Sequence, residues 1–266
     1  MPIDIAAHFS FTLERPSDVL LQFEAAAIPE QNILRQNTRL GRAEHMARVS
    51  AKDSIGERIW LHIDGEFRVD YTARVEVERI LSDCSQLQRL NPHQLPGEAV
   101  EYLFDSRYCQ ADKLQNFVND EFGQLDGGAR IVAMRDWVAE NFVYTPGVST
   151  AETTALDSFV ERRGICRDYA HVMVSLARAS AIPARFVSCF APGVDPPDFH
   201  AVAEVFLADP TIDGGGAWHI VDATGMADPA HTVKIGVGRD AADVSFMTVF
   251  GMARFDDKQV SVTPVD

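Results

Sequence analysis

Apolar and polar residues alternate through much of the first third of the chain. Ala7 to Leu13 follows a period of two, Ile59 to Ile63 does so in part, and Phe67 to Arg79 keeps its odd positions mostly apolar and its even ones polar. Such alternation predicts strands with one wet face. Breakers stand between the candidates at Arg15-Pro16-Ser17-Asp18 and Asp64-Gly65-Glu66. Residues 1 to 85 therefore read as an antiparallel β-sandwich.

The period changes after the proline-rich stretch around residues 84 to 100. Leu114, Phe117, Val118 and Phe122 fall on one helical face, and Ile131, Met134, Trp137 and Val138 repeat the pattern. A third helix is expected over Thr153 to Arg163, with Leu156, Phe159 and Val160 inward and Gly164 as its stop. A fourth begins near Cys166 and ends before Ile182-Pro183. Strand patterns return at Ala184 to Phe190, His200 to Leu207 and Trp218 to Ala223. Helices followed by strands make residues 95 to 266 an α+β unit, set behind the β-sandwich.

Composition narrows the function. The formal charge of −15 argues against a nucleic-acid partner, since phosphate binding needs clustered Lys and Arg. No apolar run is long enough to span a membrane, and the first residues carry no export signal, so a cytoplasmic protein with reduced thiols is expected. Gly214-Gly215-Gly216 fits neither phosphate-binding glycine pattern, so no nucleotide cofactor is implied. The four cysteines have no mutual spacing that would make a disulfide framework, and each is judged alone.

One of them stands apart. Gly164-Ile165-Cys166-Arg167-Asp168-Tyr169-Ala170-His171 puts Cys166 in the first turn of the fourth helix, where unpaired N–H groups and the helix dipole favour a thiolate. Tyr169, Met173, Leu176 and Ala177 form the apolar stripe on the same side, which turns the sulfur toward the interior or a cleft. Downstream, His200 opens one strand pattern and Asp222 closes another. If the two pair antiparallel with position numbers summing to 422, His200 lies opposite Asp222 and Leu207 opposite Gly215. Directly opposed Cβ atoms are about 4.5–5.5 Å apart. The carboxylate then holds one imidazole nitrogen and leaves the other for a thiol, the arrangement of nucleophilic acyl transfer. Asp168 reads as a helix cap paired with Arg167 and Arg185, and His171 as structural. Cys84, Cys109 and Cys189 have no base motif beside them. A zinc site drawn from Cys166, His200, His219 and Asp222 lacks the short-spaced ligand pairs such sites use.

These motifs resemble the transglutaminase-like superfamily, in its bacterial branch of cysteine-protease-like proteins with an N-terminal β domain. The likeness runs over Gly164 to His171, Ala181-Ile182-Pro183-Ala184-Arg185-Phe186-Val187, His200 to Phe206 and Asp222-Ala223-Thr224. It implies a papain-like or transglutaminase-like core with the nucleophilic cysteine at a helix N-terminus packed on an antiparallel sheet. It also implies Cys166 as nucleophile, His200 as base then acid, Asp222 as the orienting carboxylate, no cofactor, and a peptide or protein amide substrate. Many members have His-Ala-Trp and Asp-Pro-Thr where this chain has His200-Ala201-Val202 and Asp222-Ala223-Thr224. The first change is expected to reshape the pocket wall beside the histidine, and the second to loosen the turn after the aspartate. The competing expectation is a binding or assembly module that has kept the fold without the activity.

Overall fold

A computed structural model describes residues 1–79, 81–209, 211 and 215–265. The first six strands are β1 (Pro2–Leu13), β2 (Ser17–Leu21), β3 (Gln31–Leu40), β4 (His45–Ser50), β5 (Glu57–Ile63) and β6 (Glu66–Val77). The alternation is physical. In β6, Phe67, Val69, Tyr71, Ala73 and Val75 are buried, while Arg68, Asp70 and Thr72 face solvent. Inward residues of β1, β2, β5 and β6 share one apolar cluster built around Phe9, Phe11, Phe23, Phe67 and Tyr71.

One-turn helices aside, the next elements are α1 (Gln115–Phe122), α2 (Gly127–Asn141), β7 (Val143–Tyr144), α3 (Ala155–Glu161), β8 (Arg163–Gly164) and α4 (Cys166–Ala179). Strands β9 (Ala184–Phe190), β10 (His200–Ala208), β11 (Gly216–Val221) and β12 (Val233–Gly238) follow and form an antiparallel sheet in the order β11-β10-β9-β12. Helix α4 is buried on every side from Asp168 to Arg178, so the expected stripe is only part of a fully enclosed surface. Two details of α3 differ from expectation. Val160 is 78% exposed rather than inward, and the left-handed stop is Arg162, at φ 57°, not Gly164. Gly164 has another reason to be small: a Cβ there would lie 2.6 Å from the Asp168 side chain.

The chain then returns to its beginning. Strands β13 (Met247–Val249) and β14 (Ala253–Pro264) pair with β2 and β1, completing two four-stranded antiparallel sheets in the orders β13-β2-β5-β4 and β14-β1-β6-β3. A division into residues 1–85 and 95–266 thus cuts through both sheets. Phe190, Val233 and Ile235 of the second unit also sit in the apolar cluster of the first. The reason it was not legible is topological, because sheet partners so far apart in sequence leave no local pattern.

Charge is buried at this junction. Lys234 on β12 is 1% exposed and pairs with Glu30 from the first unit and with Glu204 on β10, which is 0% exposed. Arg185 on β9 lies opposite Glu204, donates to it at 2.8 Å, reaches Asp53 at 3.3 Å, and stacks 4.1 Å over the Trp218 ring. The expected pairing of Arg185 with Asp168 is therefore wrong, since Arg185 points to the other side of the sheet. Burial alone would raise the Glu204 carboxyl, but Lys234 and Arg185 outweigh it and bring its pKa down to about 2.

Removing one member of such a group leaves an uncompensated buried charge. Lys234→Met is expected to cost about 3–5 kcal/mol, whereas Arg254→Ala at the surface Arg254–Asp256 pair should leave the midpoint nearly unchanged. Urea midpoints at unchanged slope measure both. Because the Glu204 pKa is depressed on folding, its contribution is full above the ordinary value of 4.5 and is lost as pH falls toward about 2.

Candidate active site

Cys166 is the first residue of α4, following Ile165 in extended conformation. The Asp168 carboxylate turns back to accept from the Ile165 N–H at 2.8 Å and from the Ser149 hydroxyl, which caps the helix start. Arg167 stacks 4.5 Å over the Tyr108 ring and touches Asp168 only at 3.4 Å. The Asp168 cap reads true, and Arg167 is held mainly by the ring.

His200 is the first residue of β10, opposite Cys189 on β9. The expected register with β11 is off by two. Ala203 pairs with Val221 and Leu207 with Ala217, so the position numbers sum to 424 rather than 422. A shift of two keeps every side chain on its own face of the sheet, whereas a shift of one would have reversed it. Asp222, one residue past the end of β11, reaches His200 diagonally, with Oδ2 3.0 Å from Nε2. The sheet turn offers no further test: Gly214 lies outside the described residues.

Asp222 is itself fixed from below. Thr224 donates its N–H and hydroxyl to the carboxylate at 2.8 Å each, and the Ala227 N–H donates at 2.8 Å. The turn after the aspartate is thus closed without the usual proline. Val202 is 1% exposed and packs with Val187, Cys189 and Ile220, away from the cleft, so it forms no part of the pocket wall.

Cys166 and His200 line one cleft of about 440 Å³. Imidazole Nδ1 has no hydrogen-bond partner among the described residues. Burial disfavours the imidazolium, but the Asp222 hydrogen bond and the Cys166 sulfur favour it more, and the His200 pKa is raised to about 9. Asp222 is buried too, yet its hydrogen bond to His200 and the backbone donors hold it below the ordinary carboxylate range.

Tyr144 joins this group from β7. It pairs with Gly164 on β8, two residues before Cys166, and its ring rests on Tyr169. Its side chain lines the same cleft as Cys166, and burial, then the neighbouring Cys166 sulfur, raises its pKa well above the ordinary phenol range. Trp137, another aromatic of this region, packs instead among Phe117, Phe159 and the Arg162 guanidinium.

The remaining candidates fall away from the cleft. His171 is fully buried between Tyr108 and Phe186 and accepts from the Ala241 N–H at 3.1 Å. His219 sits by Asp209, and among the described residues no group of His, Cys, Asp and Glu is arranged to hold a metal ion. Cys109 is 0% exposed. Phe246 and Lys258, which also line the cleft, were missed entirely, since they come from the chain's return and no motif marks them. No helix among the described residues is long and apolar enough to cross a membrane.

The α-helical layer on an antiparallel sheet, with a helix-start cysteine and a histidine–aspartate pair at one cleft, defines a class that known proteins share. Residues 111–223 match the family model of the transglutaminase-like superfamily. The chain is 31% identical over its full length to a crystal structure from Cytophaga hutchinsonii described as a candidate cysteine protease, covering 91% of that chain at a TM-score of 0.92. It is 29% identical over 125 residues to an uncharacterized protein of Mycobacterium leprae, 43% of this chain and 42% of that protein. It is 28% identical over 170 residues to an uncharacterized protein of Mycobacterium tuberculosis, 58% of this chain and 52% of that one. The chain spans about half the length of these curated relatives. It belongs to the transglutaminase-like superfamily.

Burial separates the four thiols. It pushes Cys84 up to about 11 and Cys109 up to about 12, and carries Cys189 well above the ordinary thiol range, while Cys166 lines the open cleft. Limited iodoacetamide at pH 7 is expected to label Cys166 alone, read by peptide mass spectrometry, with the other three labelling only on unfolding. Equal labelling of all four would contradict this environment.

Proposed function

We propose that the protein is a cysteine-dependent amide or peptide hydrolase. Cys166 is the nucleophile, His200 the base and then acid, and Asp222 the group that orients and charges the imidazole. The observation that carries this reading is the His200 ring in the Cys166 cleft, with Nε2 held by Asp222 and Nδ1 unbonded. That leaves one nitrogen to exchange a proton with the sulfur.

In the reaction, the Cys166 thiolate adds to the amide carbonyl and its oxygen takes the negative charge. The imidazolium gives its proton to the leaving amine as the C–N bond breaks, leaving a thioester on Cys166 and a neutral imidazole. That imidazole then takes a proton from water, whose oxygen displaces the sulfur and releases the acid. The oxyanion is met by the Cys166 backbone N–H at the helix start and, as the second donor of this reading, by the hydroxyl of Tyr144, whose side chain lines the same cleft. Hydrolysis is preferred to cross-linking because of the likeness to a candidate cysteine protease.

A screen of peptides and amides with the native protein and Cys166→Ala tests the reading. A new peptide N-terminus or released ammonia is expected from the native protein only. An isopeptide product would assign transamidation instead, and identical behaviour of both proteins would favour a binding module.

Two further outcomes are expected of an active preparation. Tyr144→Phe should lower kcat about 10²–10³-fold with KM little changed. The pH profile of kcat/KM should fall on the alkaline side near 9, as His200 loses the proton the leaving amine needs. In Asp222→Asn the main group favouring the imidazolium is gone while burial remains, so that limb should move to lower pH. A limb that stays in place would remove His200 as the titrating acid.

A further inference from the structure

Part of the lining of the Cys166 cleft comes from the chain beyond residue 223, where the family match ends. The segment between β12 and β13 supplies Val244 and Phe246, and β14 supplies Lys258. Val244, 2% exposed, packs with Phe186 and Ala201 in an apolar cluster against which Cys166 itself rests. Phe246 stacks on Phe199 with ring centroids 5.2 Å apart, 15° from parallel. From behind, Phe9 and Phe255 of the sheet unit meet Phe246 edge-on at 5.9 Å each. Phe9, in the core of the other unit, therefore braces the shelf, with the partly exposed Phe255 beside it. Lys258 pairs with Asp198, both about one-third exposed (33% and 36%), and Arg167, stacked over the Tyr108 ring, also lines the cleft.

Against the carbon surface of Phe186, Val244 and Phe246 a polar side chain loses hydration and finds no partner, whereas an apolar one gains by burial. The cleft volume falls within the roughly 300–1,000 Å³ of pockets that enclose small ligands. We infer that the cleft selects peptide acyl donors by a bulky apolar side chain next to the scissile carbonyl, lodged on Phe186, Val244 and Phe246. The inference deepens the hydrolase reading and rests on it for the identity of the reacting bond. It sets the substrate class: extended peptides carrying Leu, Phe or Met at that position, rather than glutamine side-chain amides.

Binding and turnover are measured separately, so the two readings can fail independently. Acetylated dipeptide amides with Leu, Phe, Gln, Asp or Lys at the acyl position are titrated calorimetrically into Cys166→Ala, and the same peptides are offered to the native protein. Leu and Phe peptides are expected to bind at least tenfold more tightly than Gln, Asp or Lys peptides. Where turnover occurs, kcat/KM should favour them by about 10–200-fold. Phe246→Ala, added to each background, should reduce the preference about tenfold, and Phe246→Leu should restore most of it. The iodoacetamide rate at Cys166 in Phe246→Ala checks that the site is intact. Flat binding across the series, or a preference for Gln, Asp or Lys, overturns the inference. Selective binding of apolar peptides without any turnover upholds it and counts against the hydrolase.

Discussion

An imidazolium buried at the start of β10 is tenable only with a carboxylate beneath it, and the site depends on that pair. The His200 side chain has no solvent-exposed surface, so its own surroundings press it toward neutrality. Asp222 reverses the sign, but only because it is itself anchored by Thr224 and Ala227 and cannot turn away. The hierarchy is backbone donors to carboxylate and carboxylate to imidazole. Both steps are short and buried, and supporting hydrogen bonds of this kind fix tautomer and ring orientation. The departure from Asp-Pro-Thr is absorbed at the first step, where Thr224 supplies the constraint.

The strands and helices were legible because they are local. The alternation of β6, the periodicity of α1 and α2, and the start and end of α4 follow from side-chain spacing alone. Cys166, His200 and Asp222 were legible for a related reason, since each marks the end of an element and all lie in one stretch of about 60 residues. The register was nearly so. An error of two positions left His200 and Asp222 on the same face, because face is a matter of parity and parity was correct.

What could not be read was set by contacts distant in sequence. The pairing of β14 with β1 joins residues about 250 positions apart, and neither strand carries a mark of the other. Arg185 was assigned to Asp168 because the two are close in sequence, while its partners Glu204 and Asp53 lie across a strand and in the other unit. Tyr144 stood in a short strand of two residues, too brief for any period to orient its hydroxyl. Val160 followed the helical pattern and is exposed all the same, because α3 is only seven residues long and packs through Leu156 and Phe159.

These long-range contacts also shape the cleft. The cysteine, the histidine and the aspartate lie within residues 111–223, on elements that pack among themselves. Part of the cleft lining is carried by the returning chain, and its Phe246 is held by Phe9 and Phe255 of the β unit. The shape of the pocket therefore depends on β1 and β14 being paired, and the buried Glu30–Lys234–Glu204 group ties that unit to the sheet bearing His200. A change that loosens the strand pairing acts on the pocket wall before it reaches the hydrogen bonds around Asp222. The β unit is thus part of the cleft rather than an appendage to it.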